Sequence, residues 1–531
     1  MLFVILLAGL GAMVLQSLAF KLGCVTGLDL ASHCRVLLHD RPRYTRLIRF
    51  GVLYPLYALS EVAIVSTDLA ELLGSAIGLC LVFPSIPLWA AVLITASDVL
   101  IFLVIGDPSR GHGRPVKLFE YAVMALVAAV FICFIVLLAR VGPDWGQTFL
   151  GFIPSKGLFQ TQPDALYTAV GILGATVMPH ALFLGSYLAT QDRVAPAPVL
   201  PVPVFAEPEG LTHKVRAWFK SLFAVSRAER IAASRKYRDK YGRQNNELAF
   251  VRAHLSHGLV DVIVSLLAVA VPINSAILVI ASAVFFKDGS SAPAMPAGLF
   301  DAHDLIKRHI GAGTFLHSAA FIFALALLCA GQTASITATL AGQIVSEGFI
   351  EWRVSPFLRR IITRLIGLIP SMVVAIAVGR SGIDTLLVAS QVVLAIVLPF
   401  VAAPLILLTS SKSVMSVRRG DAQPAENFAA NELPVESQTL SIPPAADPVA
   451  VGLPPEADPG PVDEDEKQAA VVIEKAEQGS HDTVEDASVA GDSYISFANH
   501  WSVTSISAVI FLVILAANVY AIVMLALGKG G

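Results

Sequence analysis

Four ionisable side chains and one thioether stand in apolar segments where they could do chemistry. Glu61, Asp68 and Glu71 lie within the apolar segment from Gly51 to about Val82, and Met178 and His180 within another, from Ala165 to Thr190. A carboxylate inside a membrane span is expensive, so it reads first as part of an ion or proton path. At about 100° per helical residue, Glu61 and Asp68 point within about 20° of each other and Glu71 about 80° from Glu61, which puts all three on one side. The plainer reading is a structural ion-pair network inside a bundle. The second segment contains Gly171-Ile-Leu-Gly-Ala-Thr-Val-Met-Pro-His-Ala181, whose composition interrupts a helix. Gly171 and Gly174 weaken it, and Pro179 removes a donor and clashes with the preceding turn, so carbonyls near Ala175 lose their helical partners. At membrane depth such carbonyls are tolerated where protein or a water-filled cavity meets them, and broken helices are where transporters bind ions. Met178 offers a soft thioether and His180 an imidazole with an ordinary pKa of about 6.5. Taken singly, a Met is core filler and a His a satisfied structural donor; beside a helix break they suggest a transition-metal path.

The elements that must position these groups are membrane spans. With 531 residues, 55% of them hydrophobic and 15% charged, and a mean hydropathy of +0.71, the chain has too little polar surface for a soluble domain and reads as an all-α polytopic membrane protein. The net charge of −3 says little as a sum, and no nucleic-acid signature is present. Cys24, Cys34, Cys80, Cys133 and Cys329 lack C-x-x-C spacing, which points to neither a disulfide framework nor a zinc site. No H-E-x-x-H or other multi-histidine cluster suggests a metalloenzyme.

Ten spans are expected: Met1 to about Phe20, Gly51 to Val82, Leu88 to Ile105, Leu118 to Ala139, Ala165 to Thr190, Leu255 to Phe286, Phe315 to Val345, Ile361 to Val378, Thr385 to Leu408 and Ser502 to Leu527. Each is near or above the about 20 residues a bilayer needs. The first has no basic region before it, which favours a spanning helix over a cleaved signal peptide. Connectors 35–49, 106–117, 192–252 and 347–360 are basic while those alternating with them are not, so the basic set is expected in the cytoplasm and Met1 outside. The organisation is thus spans in 1–191, a basic cytoplasmic loop 192–252, spans in 253–408, an acidic cytoplasmic loop 409–501 and a last span in 502–527. The first loop has a Pro-rich run, Ala195 to Pro203, and a basic helix-forming run, Ala228 to Gly242, suited to extending the next span or resting on anionic lipid. The second, with Val462-Asp-Glu-Asp-Glu-Lys467, lacks the apolar content to fold and reads as disordered.

Gly174-Ala-Thr-Val-Met-Pro-His-Ala181 resembles the broken sixth helix of the Nramp (natural resistance-associated macrophage protein) family of proton-coupled divalent metal transporters. Val25-Thr-Gly-Leu-Asp-Leu30 looks like the end of that family's second helix, and Ser66-Thr-Asp-Leu-Ala-Glu-Leu-Leu-Gly-Ser-Ala-Ile-Gly-Leu79 like its third. Ala330 to Gln343 is similar to the eighth, Leu358-Arg-Arg-Ile-Ile-Thr-Arg364 to the start of the ninth, and Ser390 to Phe400 to the tenth. The resemblance implies a LeuT-like inverted-repeat fold whose ten spans match family helices two to eleven. It implies proton-coupled transport of Mn²⁺ or Fe²⁺ into the cytosol, from the plasma membrane or an endosomal or vacuolar membrane. Metal ions and protons would be substrates, with no resident cofactor; the oligomeric state is not implied. Met178 would give its sulfur and Ala175 its carbonyl to the metal, with Gln391 approaching it and Asn274 a further polar position. His180, Glu61, Asp68, Glu71, Arg359 and Arg360 would form the proton route. A thioether favours transition metals over Ca²⁺ and Mg²⁺.

Two positions depart from the family pattern. Its first-helix Asp-Pro-Gly-Asn motif is not found, and Ala181 stands where an asparagine usually follows the histidine. Without an anionic ligand, desolvation of a divalent ion is poorly offset. Two expectations follow: a first helix encoded upstream of Met1, which also returns the N-terminus to the cytoplasm, or a non-transporting sensor or interaction scaffold of the same fold.

Overall fold

Long apolar runs with no water to satisfy a backbone must close their hydrogen bonds within the segment, and the chain does so as helices. The computed structural model describes residues 1–39, 41, 43–105, 114–154, 165–192, 245–285, 298–309, 319–351, 356–377, 379–419 and 494–527. The helices that matter here are α1 (Leu2–Thr26), α2 (Leu30–Leu38), α3 (Tyr54–Val82), α4 (Leu88–Ile105), α5 (Arg114–Val141), α6 (Ala165–Thr176), α7 (Pro179–Leu188), α8 (Leu248–Val264), α9 (Val271–Phe285), α10 (Leu299–His309), α11 (Ala319–Ile350), α12 (Pro356–Ala377), α13 (Arg380–Ser410) and α14 (Trp501–Ala526). π-helical turns at Arg49–Leu53 and Ser265–Ala270 lead into α3 and α9.

Among the described residues every expected span overlaps helix, with a break at 177–178 in one of them. Eight stretches of the described residues are long and apolar enough to cross a membrane, and at the other two expected spans the apolar helices are shorter, Leu88–Ser97 and Ile361–Ala377. Several boundaries move: α5 starts at Arg114, α8 at Leu248, α12 at Pro356 and α13 at Arg380, each ahead of the expected residue, and two further shifts have a visible cause. The first helix continues past Phe20 to Thr26 because Lys21 does not end it: its Nζ donates to Asn499 Oδ1 at 2.9 Å. The eighth-helix counterpart α11 runs on to Ile350, within the expected 347–360 connector, because Phe349 is fully buried against Phe183 at 5.8 Å and Tyr57 at 6.0 Å between ring centroids.

The chain divides into two units, Met1–Arg418 with Tyr494–Gly531, and Arg419–Ser493. Nearly all of the second, and residues 193–244 of the basic loop, lie outside the described residues, as do the expectations placed on them. The edges of the expected 409–501 loop are ordered: strand β1 (Ser416–Arg418) pairs antiparallel with β2 (Tyr494–Ser496), Val417 opposite Ile495. Asn245 Nδ2 donates to the Val414 and Ser416 carbonyls at 2.7 Å each, fixing the ribbon to the start of the segment that enters α8.

Within the first unit α3 is the central helix, packed by α11, α12, α13, α4 and α7. Its closest neighbour is α11, and small residues make that approach possible. A Cβ on Gly331 would sit 2.8 Å from Ser75 N and 2.9 Å from Glu71 O, so only glycine lets the two backbones meet there. Close packing of small residues drives helix association where lipid removes the hydrophobic contrast. One apolar cluster, including Leu15, Leu22, Ile64, Phe183 and Leu398, joins α1, α3, α7 and α13. A second, with Leu72, Ile77, Val92 and Ile383, joins α3, α4 and α13.

Candidate metal site and ionisable column

The expected break is present. α6 ends at Thr176, Met178 is extended (φ −83°, ψ 129°), and α7 begins at Pro179. Val177 N donates to Leu173 O at 2.9 Å as the last bond of α6, and Ala181 N to Met178 O at 3.1 Å as the first of α7. The Ala175 carbonyl would normally receive the amide four residues on, but that residue is Pro179, which has none. Among the described residues nothing else donates to it. Ala175 is exposed and Met178 half-buried.

Gly174 brings the third donor. A Cβ there would lie 2.1 Å from Gln391 O and 2.9 Å from Ala395 N, so α6 rests directly on the Gln391–Ala395 turn of α13. Gln391 Oε1 is buried and has no hydrogen-bond partner among the described residues. A freed carbonyl, a thioether and an unpaired carboxamide oxygen thus belong to one region. All are neutral, and no group of three or more His, Cys, Asp or Glu side chains suited to a metal occurs among the described residues.

The acids of α3 meet bases from α12. Asp68 and Arg364 form an ion pair in which both side chains are almost fully buried. Ser335 Oγ of α11 donates to Asp68 Oδ1 at 3.0 Å, and Arg364 Nη2 donates to Thr95 O of α4 at 3.1 Å. Asp68 Oδ2 is buried with no hydrogen-bond partner among the described residues. One helical layer away Glu61 pairs with Arg359, which also donates to Gly342 O at 3.2 Å. Glu71 makes no ion pair among the described residues. His180, 5% exposed at the start of α7, places Nδ1 3.4 Å from Thr67 Oγ1, beside Asp68 on α3. The helix break and the ionisable column are therefore joined through His180 and Thr67.

The expected residues are thus brought together in part. Asp68 takes Arg364, which is not among the residues expected on the proton route. The side chain of Arg360 lies outside the described residues. A spacing argument finds the true partner: Glu61 and Asp68 stand about 10.5 Å apart along their helix, while Arg359 and Arg360 differ by only about 1.5 Å in rise. Arg364, five residues on, can serve the second acid. Ser335 and Thr67 were also missed, since a hydroxyl in a small-residue stretch gives no signal of its own. Asn274 is half-buried on α9, which packs on α5, α1 and α10, and no hydrogen bond among the described residues ties it to the break.

Fold and site together define an integral, polytopic helical membrane protein with a discontinuous helix at a candidate ion site. The chain belongs to the Nramp family: the family model described as natural resistance-associated macrophage protein-like matches residues 1–421. The chain is 38% identical over 420 residues to the iron transporter SMF3 of Saccharomyces cerevisiae, covering 78% of this chain and 76% of that protein. It is 40% identical over 418 residues to the manganese transporter pdt1 of Schizosaccharomyces pombe, covering 78% and 70%. Against the divalent metal cation transporter MntH of Agrobacterium fabrum the identity is 36% over 416 residues, covering 78% and 74%. A crystal structure of the manganese transporter of Eremococcus coleocola superposes with a TM-score of 0.57 at 25% identity, over 98% of this chain and 87% of that one. The fold is therefore the LeuT-like one the resemblance implied.

Proposed function

We propose that the protein carries divalent transition-metal ions, Mn²⁺ and Fe²⁺ foremost, across its membrane into the cytosol, with protons as the coupling ion. One observation carries the reading: the Ala175 carbonyl, freed by Pro179, lies in the same broken turn as Met178, next to Gly174, which packs against the turn of α13 that bears Gln391. Relatives sharing over a third of their residues with the chain are named iron, manganese and divalent metal transporters.

The chemistry follows from the donors. Met178 favours a soft or borderline ion over Ca²⁺ or Mg²⁺, which prefer all-oxygen shells. The Ala175 carbonyl and Gln391 carboxamide replace part of the hydration shell. His180, two residues from Met178, would relay the coupling proton between the break and the acids Asp68 and Glu71 on α3, where Arg364 and Arg359 balance the column. Rocking of α6 and α7 against α3 and α11 would then expose the site alternately to the two sides.

The test is uptake of Mn²⁺ by liposomes containing the full chain, with and without an inward proton gradient. Uptake above protein-free liposomes that rises with the gradient is expected. No uptake in either condition would defeat the proposal.

A further inference from the structure

Asn518 is 3% exposed within α14, in a stretch from Ala508 onward that is otherwise apolar but for Tyr520. Its Nδ2 donates to the Ala395 carbonyl of α13 at 2.6 Å. That carbonyl stands four residues before Pro399, which lies inside the same helix, so the amide that would ordinarily bond it does not exist. Asn518 supplies the missing donor from a neighbouring helix, as a proline-freed carbonyl in hydrocarbon requires. The same turn supports the helix break: Gly174 of α6 rests against Ala395 N and Gln391 O. Val170 of α6, Val392 and Ala395 of α13 and Ala521 of α14 form one apolar cluster around it.

Space filling does not account for the residue. Asn518 Oδ1 is buried and unpaired among the described residues, a penalty that Leu at this position would avoid. What Leu could not do is hold the Ala395 carbonyl. The structure assigns Asn518 as a positioning residue of the metal site, closing the Ala395–Pro399 turn from α14 and so fixing the Gln391 turn against Gly174, the residue before Ala175 in the broken segment. The assignment rests on the metal-transport reading. It matters because the described donors are all neutral, so the grip on an ion depends on where three atoms stand rather than on charge.

The test is a cycle of Asn518→Leu with Pro399→Ala in the full chain, because Ala at 399 restores a backbone N–H aimed at Ala395 O. KM and maximal rate of Mn²⁺ uptake are measured per folded transporter, together with the shift in Tm that Mn²⁺ alone induces in detergent. Asn518→Leu is expected to raise KM about tenfold and change the maximal rate by less than about twofold. On the Pro399→Ala background, adding Asn518→Leu is expected to move KM by less than about twofold. An unchanged KM in Asn518→Leu, or an equal loss on both backgrounds, overturns the assignment. If Asn518→Leu alone does not accumulate, the double variant decides: folded protein with the KM of Pro399→Ala supports it, and failure on both backgrounds overturns it. A wild-type chain that takes up no Mn²⁺ overturns the transport reading instead. The positioning role is then read from Tm: a Mn²⁺-induced shift lost in Asn518→Leu and regained with Pro399→Ala upholds it, and no shift in the wild type removes both.

Discussion

Asp68 and Arg364 form an ion pair that solvent barely reaches, with the carboxylate 1% and the guanidinium 2% exposed. It ties the central helix α3 to α12, and Ser335 and the Thr95 carbonyl bring α11 and α4 into the same knot. Glu61 and Arg359, at 20% and 7% exposure, are the wetter version of the same link.

Removing one member of a buried pair strands the other charge, which typically costs about 3–5 kcal/mol, whereas replacing both by apolar groups is often nearly neutral. Asp68→Asn and Arg364→Met are each expected to destabilise the folded protein by about that amount, and Asp68→Leu with Arg364→Met together to recover most of it. Arg359→Met should cost less, because Glu61 can still be hydrated. Unfolding of detergent-solubilised variants measures this; equal losses at Arg359 and Arg364 would contradict the burial argument.

Gly174 and Gly171 make a matched comparison within one turn of each other. A Cβ at Gly174 meets Gln391 O at 2.1 Å, while at Gly171 nothing lies within 4 Å. Gly171→Ala is expected to leave Mn²⁺ uptake intact and to favour helix by up to about 1 kcal/mol. Gly174→Ala must push α6 off α13 and is expected to abolish uptake. Comparable uptake in the two variants would show that the contact does not serve the site.

Much of this architecture is legible in the sequence because bilayer physics leaves few choices. Apolar length marks the spans, and Pro179 fixes the break to within a residue because it removes a particular hydrogen bond. The acids on α3 are visible because carboxylates are rare in apolar runs. Their partners are less so. Arg364 lies in a stretch with three arginines, and which of them reaches Asp68 depends on the axial offset of α3 and α12. Asn518 is hidden for a similar reason: an Asn in a terminal apolar helix acquires meaning only when Ala395, freed by a proline on another helix, is found beside it.

His180 links the two halves of the site through Thr67, 3.4 Å away. If it passes the coupling proton, His180→Ala should separate metal from proton movement instead of stopping both. Mn²⁺ uptake is expected to persist at a reduced rate while the accompanying acidification inside the liposomes falls to background. Acidification reduced only in proportion to metal flux would assign the coupling elsewhere. Thr67→Val, which removes the hydroxyl beside the imidazole at nearly constant volume, should shift the ratio of protons to metal in the same direction.

Met178 is the one donor at the break that discriminates by chemistry instead of by geometry. The Ala175 carbonyl and Gln391 carboxamide are hard oxygens that Ca²⁺ and Mg²⁺ accept as readily as Mn²⁺, so a preference for transition metals must come from the sulfur. Met178→Ala leaves Pro179 and the freed carbonyl untouched, because the break depends on the proline and not on its neighbour. The variant is therefore expected to retain metal uptake but lose selectivity, with Ca²⁺ competing against Mn²⁺ about tenfold better, equivalent to about 1.4 kcal/mol. Fluorescent-dye assays of both ions in the same liposomes give the ratio directly. A ratio unchanged from wild type would mean that the sulfur does not face the ion, and selection would then have to reside in the size of the cage formed by α6 and α13.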